Sequence, residues 1–537
     1  MLTYQYMTNR ALALMHYAQA ATLMVVIGVA TPLALQAQPS AAVTPSASSQ
    51  LPTLGDGSEM TSSAERRLGD RIAREIYRDP DYLDDPVLAD YVQSIWQPLL
   101  AAARLRGDLS PELDERFAWE IMLGRDRTVN AFALPGGYLG VHMGLIAVVS
   151  NRDELASVLG HELSHVTQRH ISRLMAKQSQ QTPWMIGAMI LGALAASKNP
   201  DAGNALIVGG QAVAAQNQLN FSRDMEREAD RVGYGVMTQA GFAPLGFVTM
   251  FDKLQQASRL NDNGAYPYLR SHPLSSERMA DMQARQPLDA PRPVDVEPTT
   301  EHAMLAARAR VLANSGVDAL RAFVAEAAPA HLLTLSSARQ AGVLYGAALA
   351  ASRLRNGLDT RDFLKRLGAL VQADLPAVRW VRLLQAELAL AANDVPGALG
   401  ALPAATGLVP RPELFLSTLA AVRSGQPAAV DAAAQRLQTW VLTHPKDAQA
   451  WQLLASAYTA QGQTLRAIRA GAEVQVARLD YPAALDRFQA AQEWVRRAPA
   501  GKSGPATLNA AQNIEAAIID TRQRQVAQLL KEQALDK

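Results

Sequence analysis

Residues 161–165 constrain the possible structures of this chain most strongly, because they place two histidines four positions apart. Their sequence is His-Glu-Leu-Ser-His. Apolar residues recur at helical spacing over about 151–175, and Asn151 with Glu154 three residues later is typical of a helix start. Positions four apart on a helix differ by about 40° in direction, so both imidazoles face the same side. The sequence therefore predicts a helix with two converging imidazoles.

Two imidazoles on one helix face can bind a single zinc ion, and Glu162 can then reach a water in the open coordination position. The chain contains no cysteine, so His, Asp and Glu must supply any metal ligands. His170 lies nine residues after His161, which on a continuous helix is about half a turn away. We therefore expect His170 to support a ligand from behind or to lie on the surface, and the third ligand to come from elsewhere.

Glu226 is the predicted third ligand. It lies in a second charged helical stretch, 222–230, with Asp230 four residues later on the same face. Two histidines and one glutamate form a known open zinc arrangement in catalytic sites. Asp230 is expected to accept the free ring N–H of a ligand histidine and to fix its tautomer. Glu228 lies about 200° round the helix from Glu226 and is expected to face away.

The N-terminus is typical of an export signal. Arg10 precedes an apolar run over 18–35, whose core is shorter than a membrane span, and residues 35–37 offer a tolerable cleavage site. We expect a signal peptide over 1–37, then a linker over 38–62 that is rich in Pro, Ser, Ala and Thr. The predicted location is the periplasm. The alternatives are an uncleaved anchor and a cytoplasmic peptidase with a false signal.

Charge and hydropathy limit the partners of the chain. The formal net charge is +1 and no polybasic segment occurs, so nucleic acid is not predicted as a partner. Two apolar stretches within 184–215 are each too short to span a bilayer. They are predicted to form either a buried hairpin or a hydrophobic flap that covers the site or makes peripheral contact with a membrane.

A small sheet is predicted before residue 161, between helices. Helices are expected over 63–105, and the spacing of apolar residues then changes from helical to alternating. Strands are predicted over 117–123, 129–134 and 138–141.

Beyond residue 294 the chain becomes Ala/Leu-rich helix with short breaks. The breaks fall near Gly357, Asn393, Gly425 and Gly462, at intervals of 32–37 residues. These intervals are close to the roughly 34-residue period of tetratricopeptide repeats, and residues 451–488 match that repeat best. We predict an all-α repeat array over 300–537. A generic helical array is the alternative.

Four separated motifs resemble the M48 family of zinc metallopeptidases, in its periplasmic branch with C-terminal repeats. In the order of the family they are Asn-Ala-Phe-Ala-x-Pro-Gly-Gly at 130–137, His-Glu-x-x-His at 161–165, Glu-x-Glu-Ala-Asp at 226–230 and Ser-His-Pro-Leu-Ser-Ser-Glu-Arg at 271–278. The resemblance implies an α+β, mostly α fold. In it, a zincin-like M48 domain with a small sheet, at 63–290, precedes the tetratricopeptide array.

The resemblance also implies roles for six residues. It assigns one Zn²⁺ per chain to His161, His165 and Glu226, and catalytic roles to Glu162, Asp230 and His272. For His272 two functions stay open, a displaceable fourth ligand that keeps the enzyme latent or a hydrogen-bond donor to the transition state.

The function that the resemblance implies is a periplasmic zinc endopeptidase. Its expected substrates are misfolded or stalled envelope proteins, and its expected process is outer-membrane protein assembly and quality control. An extended peptide is expected to pair with the strand at 130–134. The repeats are expected to bind the machinery that assembles outer-membrane β-barrels. The alternative is a chaperone-like adaptor with a latent peptidase site.

Overall fold

The computed structural model describes residues 60–177, 221–259, 265–286, 297–403, 407, 409–497 and 508–534. All of them belong to one compact unit, Gly55–Lys537. The predicted signal peptide, nearly all of the predicted linker and the apolar region 184–215 lie outside the described residues. Among the described helices, none combines the length and the apolar character that a membrane crossing needs.

The described residues before 297 form helices around a small sheet. The helices are α1 (Ser62–Arg78), α2 (Pro86–Arg106), α3 (Pro111–Arg116), α4 (Met143–Val148), α5 (Arg152–Thr167), α6 (His170–Lys177), α7 (Arg223–Gln239), α8 (Leu245–Arg259), α9 (Tyr268–Ser271) and α10 (Ser276–Ala284). The strands are β1 (Glu120–Gly124), β2 (Ala131–Leu134) and β3 (Tyr138–His142).

All three predicted strands are present, and they form one sheet in the order β1-β3-β2. β1 pairs with β3 in parallel, with Glu120 opposite Tyr138, and β2 pairs with β3 in antiparallel fashion. The prediction that the first strand begins at Phe117 is wrong. The backbone N–H of Phe117 instead closes the end of α3, and Trp119 has a φ of 51°, which is incompatible with a strand. β2 is left as an edge of the sheet.

The single helix predicted over 151–175 is two helices, so that prediction is wrong beyond Thr167. Its start is confirmed, because the Asn151 side chain accepts a hydrogen bond of 2.9 Å from the backbone N–H of Glu154. Arg169 separates α5 from α6 with a left-handed φ of 52°. The guanidinium of Arg169 lies 3.0 Å from a carboxylate oxygen of Glu65 on α1. This turn changes the direction of the chain just before His170.

The described residues from 297 onward are all helical between their turns. The helices are α11 (Thr300–Ala313), α12 (Val317–Glu326), α13 (Pro329–Leu332), α14 (Ser337–Arg353), α15 (Gly357–Val371), α16 (Leu375–Ala391), α17 (Val395–Ala401), α18 (Arg411–Ser424), α19 (Pro427–Thr443), α20 (Ala448–Ala460), α21 (Thr464–Ala477), α22 (Tyr481–Arg497) and α23 (Ala510–Ala534). Each of the four predicted breaks falls at a helix end or between two helices. The array of helices is therefore confirmed.

The best predicted repeat copy corresponds to successive packed helices. Trp451 and Tyr458 on α20 are buried, and Gly462 makes the turn into α21 with a φ of 69°. The second part of the copy lies on α22, where Ala484 and Phe488 are fully buried. Since α20 packs on α21 and α21 on α22, the apolar signature positions form the contacts between neighbouring helices.

Carboxylates at the start of α2 bind three different helices of the array. Each carboxylate forms an ion pair with one arginine. The pairs are Asp85 with Arg308 on α11 at 2.5 Å, Asp90 with Arg379 on α16 at 2.8 Å, and Asp84 with Arg411 on α18 at 2.8 Å. These pairs attach the array to the preceding residues at the start of α2, in addition to the packing of α11 on α4.

The substitution Arg308→Leu is expected to lower the free energy of unfolding by about 3–5 kcal/mol, because it leaves the buried carboxylate of Asp85 without its cation. A urea titration followed by circular dichroism measures the loss. Arg321→Leu is the control, since the pair of Arg321 with Asp318 is largely exposed and should contribute little. Equal losses in the two variants would contradict the importance of the buried pair.

Candidate metal centre

Helices α5 and α7 cross at two glycines, which lets their backbones touch. A Cβ added to Gly233 on α7 would lie 2.9 Å from the carbonyl carbon of Gly160 and 3.0 Å from the backbone nitrogen of His161. Such a contact is shorter than side chains tolerate, so only glycine fits this crossing. The side chains next to the crossing on both helices are therefore brought to the same place.

Four predicted site residues converge beside this crossing. They are His161, His165, Glu226 and His272, and one donor atom from each lies within 4.8 Å of all the others. Nε2 of His161 is 3.0 Å from Nε2 of His165 and 3.3 Å from Nδ1 of His272. Nδ1 of His272 is 3.0 Å from Oε1 of Glu226. All four side chains are buried, and the structure brings them together in one place.

The spacing of these donors fits a metal ion. Tetrahedral zinc with bonds of about 2.0–2.1 Å places its donor atoms about 3.3–3.4 Å apart. The donor distances given above are 3.0 and 3.3 Å, and those from His161 and His165 to Glu226 are both 3.5 Å. Ring nitrogens that face one another and a carboxylate are a poor hydrogen-bonding set but a good set of metal ligands.

Asp230 lies behind the cluster, and an arginine holds it there. Its Oδ1 is 2.9 Å from Nδ1 of His161, which is the contact that the sequence predicted with a ligand histidine. Arg278 on α10 binds both oxygens of Asp230, at 2.6 and 2.7 Å, and its Nη1 lies 2.8 Å from Oε2 of Glu226. Sequence reasoning gave Arg278 no role, although it ends the motif at 271–278. The sequence signal that could have indicated its role is the presence of an arginine in that motif.

The carboxylate of Glu162 is fully buried, and neither of its oxygens has a hydrogen-bond partner among the residues that the structure describes. Nε2 of His272 lies 3.4 Å from Oε1, beyond a good hydrogen bond. Burying an unpaired carboxylate is costly, so such groups occur mainly where a water, ion or substrate provides the missing partner. Glu162 is thus suited to act on a molecule held at the cluster.

Two more predicted residues lie outside the cluster of four donors. His170 contacts His165 from behind, with 2.9 Å between their Nδ1 atoms, and is buried, so of the two predicted environments the structure shows the one behind a predicted ligand. Glu228 does not join the cluster, as its position on the helix indicated. Its carboxylate instead contacts Nε2 of His170 at 3.1 Å and Arg173 at 2.9 Å.

The electrostatics of the cluster favour the metal-binding forms of His165 and Glu226 but not that of His161. Burial opposes protonation of His161, but Asp230 and Glu226 outweigh burial and raise the pKa of its ring to about 9. Burial, followed by the neighbouring charge of His161, lowers the pKa of His165 well below its ordinary value. Burial alone would raise the pKa of Glu226, but His272 and His161 hold it well below its usual range. A metal must displace the proton of His161, while His165 and Glu226 are already deprotonated.

Comparison with known proteins agrees with this geometry. The family model for peptidase family M48 matches residues 88–286. The beta-barrel assembly-enhancing protease of Escherichia coli strain K12 is 30% identical over 431 residues, which are 79% of this chain and 83% of that protein. The chain belongs to peptidase family M48. Because the alignment covers 79% of the chain, the likeness to the Escherichia coli protein extends from the M48 domain into the helical array.

Two further relatives of this M48 peptidase are shorter matches. A Vibrio cholerae protein is named provisionally as a beta-barrel assembly-enhancing protease. It is 34% identical over 277 residues, which are 50% of this chain and 54% of that protein. The chain thus matches about half the length of the Vibrio protein. The mitochondrial metalloendopeptidase OMA1 of Arabidopsis thaliana is 32% identical over 164 residues, 30% of this chain and 31% of that protein. The family and its named relatives make this chain a metalloendopeptidase.

The substitution Gly233→Ala is expected to weaken metal binding and to destabilise the fold by about 1–3 kcal/mol, because the added methyl group forces α7 away from α5. Isothermal titration with zinc measures the first effect and thermal unfolding the second. Gly235→Ala on the same helix is the matched control, since only the end of the Arg106 side chain would have to move. Unchanged zinc binding in Gly233→Ala would show that the crossing does not set the cluster.

Proposed function

We propose that this member of family M48 is a zinc endopeptidase of the bacterial periplasm that cleaves misfolded or stalled envelope proteins during outer-membrane β-barrel assembly. The observation that carries the proposal is the buried convergence of His161, His165 and Glu226 beside the unpaired carboxylate of Glu162. The name of the Escherichia coli relative, a beta-barrel assembly-enhancing protease, supports proteolysis and the link to β-barrel assembly.

In the proposed mechanism each residue of the cluster has one task. His161, His165 and Glu226 hold the zinc ion, and Asp230 holds the ring of His161 in the tautomer that presents Nε2. Zinc supplies a Lewis acid that lowers the pKa of water to about 7 and polarises a peptide carbonyl. Glu162 takes a proton from water and delivers it to the leaving amine.

His272 is proposed as a displaceable fourth ligand that keeps the enzyme latent. Its Nδ1 lies among the donors, at 3.3 Å from His161 and 3.0 Å from Glu226. An open position is what a catalytic zinc site needs, and a fourth side chain there excludes water. The ring of His272 stacks on Tyr268, with 4.6 Å between the ring centroids, so its release from the donors would break this stack.

The proposed substrate is an extended peptide that pairs with β2. This strand is an edge of the sheet, paired only with β3 among the described strands. It also packs on α5, the helix that carries His161 and Glu162. Backbone pairing carries little side-chain information, so unfolded chains of varied sequence are suitable substrates.

The helical array is proposed to be a tetratricopeptide-repeat domain over 300–537 that binds the β-barrel assembly machinery. Its support is the packing of α20, α21 and α22 through the repeat signature positions. The peptidase domain is proposed to occupy 63–290, and residues 1–37 to be the export signal that delivers the chain to the periplasm. Region 184–215 remains the proposed flap over the site or contact with a membrane surface.

A second candidate function is a chaperone-like adaptor whose peptidase site stays latent. It is favoured by the position of His272 among the donors, because a permanently filled site would leave client binding by the array as the activity. The Glu162→Gln variant separates the two functions in cells. Full complementation under envelope stress by this variant supports the adaptor, and loss of complementation supports proteolysis.

Glu162→Gln is expected to lower the rate of casein cleavage by about 10²–10⁴-fold while retaining one zinc ion per chain, because the variant loses its proton acceptor but no ligand. Metal analysis and a fluorescent casein assay measure the two properties. Glu154→Gln is the matched control, a carboxylate on the same helix that is equally buried but pairs with Lys253 at 2.7 Å. Undiminished cleavage by Glu162→Gln would exclude it as the base.

His272→Ala is expected to increase casein cleavage and to retain the zinc ion, because three ligands remain and water gains access to the metal. Metal analysis and the fluorescent casein assay measure these effects, and chelator-treated protein gives the background rate of cleavage. Loss of cleavage with zinc retained would instead identify His272 as a donor to the transition state and would overturn the latent-site proposal.

A further inference from the structure

The ring of His170 lies directly behind the metal-facing side of His165. It is fully buried, and both of its ring nitrogens have partners. Nδ1 of His170 is 2.9 Å from Nδ1 of His165, and Nε2 of His170 is 3.1 Å from Oε2 of Glu228. The left-handed turn at Arg169 brings His170 to this position, which a continuous helix would not reach.

Only one arrangement of protons satisfies all of these contacts. For Nε2 of His165 to face the other donors with a lone pair, the proton of its ring must be on Nδ1. That proton is donated to Nδ1 of His170, so His170 in turn carries its proton on Nε2 and donates it to Glu228. In the opposite arrangement Nε2 of His170 would turn a lone pair toward a carboxylate, which is repulsive. Glu228 therefore selects the tautomers of both rings.

The two histidines of α5 are supported in parallel ways from α7. Asp230 contacts His161 directly, at 2.9 Å. Glu228, two residues earlier on the same helix, reaches His165 through the ring of His170. Arg173 on α6 fixes the Glu228 carboxylate from the other side, at 2.9 Å.

We propose that His170 is a positioning residue for His165, and that Glu228 acts through His170 to hold Nε2 of His165 toward the metal. The inference rests on the proposed zinc site and adds two residues to it that lie outside the four donors. His170 is not itself a ligand, because its Nδ1 is engaged by His165 and its Nε2 by Glu228. Its contribution is to the orientation and basicity of a ligand, which zinc affinity reports directly.

The first test compares zinc affinity in two variants that each remove a buried histidine. His170→Ala is expected to bind zinc about 10–100-fold more weakly than the wild type, measured by competition with a chromophoric chelator. His302→Ala is the matched control. His302 is equally buried, but it bonds Tyr91 and the carbonyl of Val149, away from the cluster. Equal zinc affinity in His170→Ala and the wild type would overturn the proposal.

The second test uses Glu228. Its side chain is partly exposed, so its replacement disturbs the core less than replacement of the buried His170 does. Glu228→Ala is expected to weaken zinc binding, and Glu228→Gln to retain most of it, because a glutamine oxygen still accepts the proton from His170. In the double variant His170→Ala/Glu228→Ala, the loss should not exceed that of His170→Ala alone. Additive losses would overturn the relay through His170.

A spectroscopic signature separates positioning from general stability. Replacement of zinc by Co²⁺ is expected to give a shifted visible absorption band in His170→Ala but an unchanged band in His302→Ala. None of these measurements needs peptide cleavage. Zinc binding without any cleavage, by the wild type and by His272→Ala alike, would overturn the proposed peptidase function alone, whereas a chain that binds no zinc would overturn both proposals.

Discussion

The contact of α5 with α7 is the constraint on which the metal centre depends. Gly160 and Gly233 let the two backbones approach until no side chain fits between them. One helix carries His161 and His165 and the other carries Glu226, so neither alone contains a site. Because two packed helices move little against one another, the donors are brought together by the fold rather than by the metal.

The site also needs positive charge to offset the repulsion among its buried carboxylates. Glu162, Glu226 and Asp230 are all buried within one small volume, where like charges repel strongly. Arg278 places a permanent cation against two of them, which burial would otherwise push toward the protonated form. The pKa of Asp230 accordingly lies below its ordinary value, although burial opposes this. The third carboxylate, on Glu162, is the one left without such a partner.

The local parts of this structure followed from residue spacing, whereas long-range contacts were predictable only where a metal site called for a further ligand, as for Glu226. Spacing within one helix was enough to place His161 beside His165 and Glu226 beside Asp230. For His170 the sequence predicted only two alternatives, a position behind a ligand or one on the surface. The choice between them depends on the turn at Arg169. That turn is held by Glu65, which lies 104 residues earlier. The roles of side chains that depend on such distant partners are not encoded in local periodicity.

The attachment of the array through the start of α2 has a consequence for how the chain can change over time. Asp84, Asp85 and Asp90 lie within seven residues, yet their arginine partners are spread over three helices of the array. Loss of one of these arginines leaves its aspartate without that cation, whereas loss of an aspartate leaves the arginine with its second carboxylate, Glu387, Glu413 or Asp447. The junction is therefore asymmetric: its acidic segment tolerates substitution better than the arginines do, and a helical array from another protein would fit only if it carried three matching arginines.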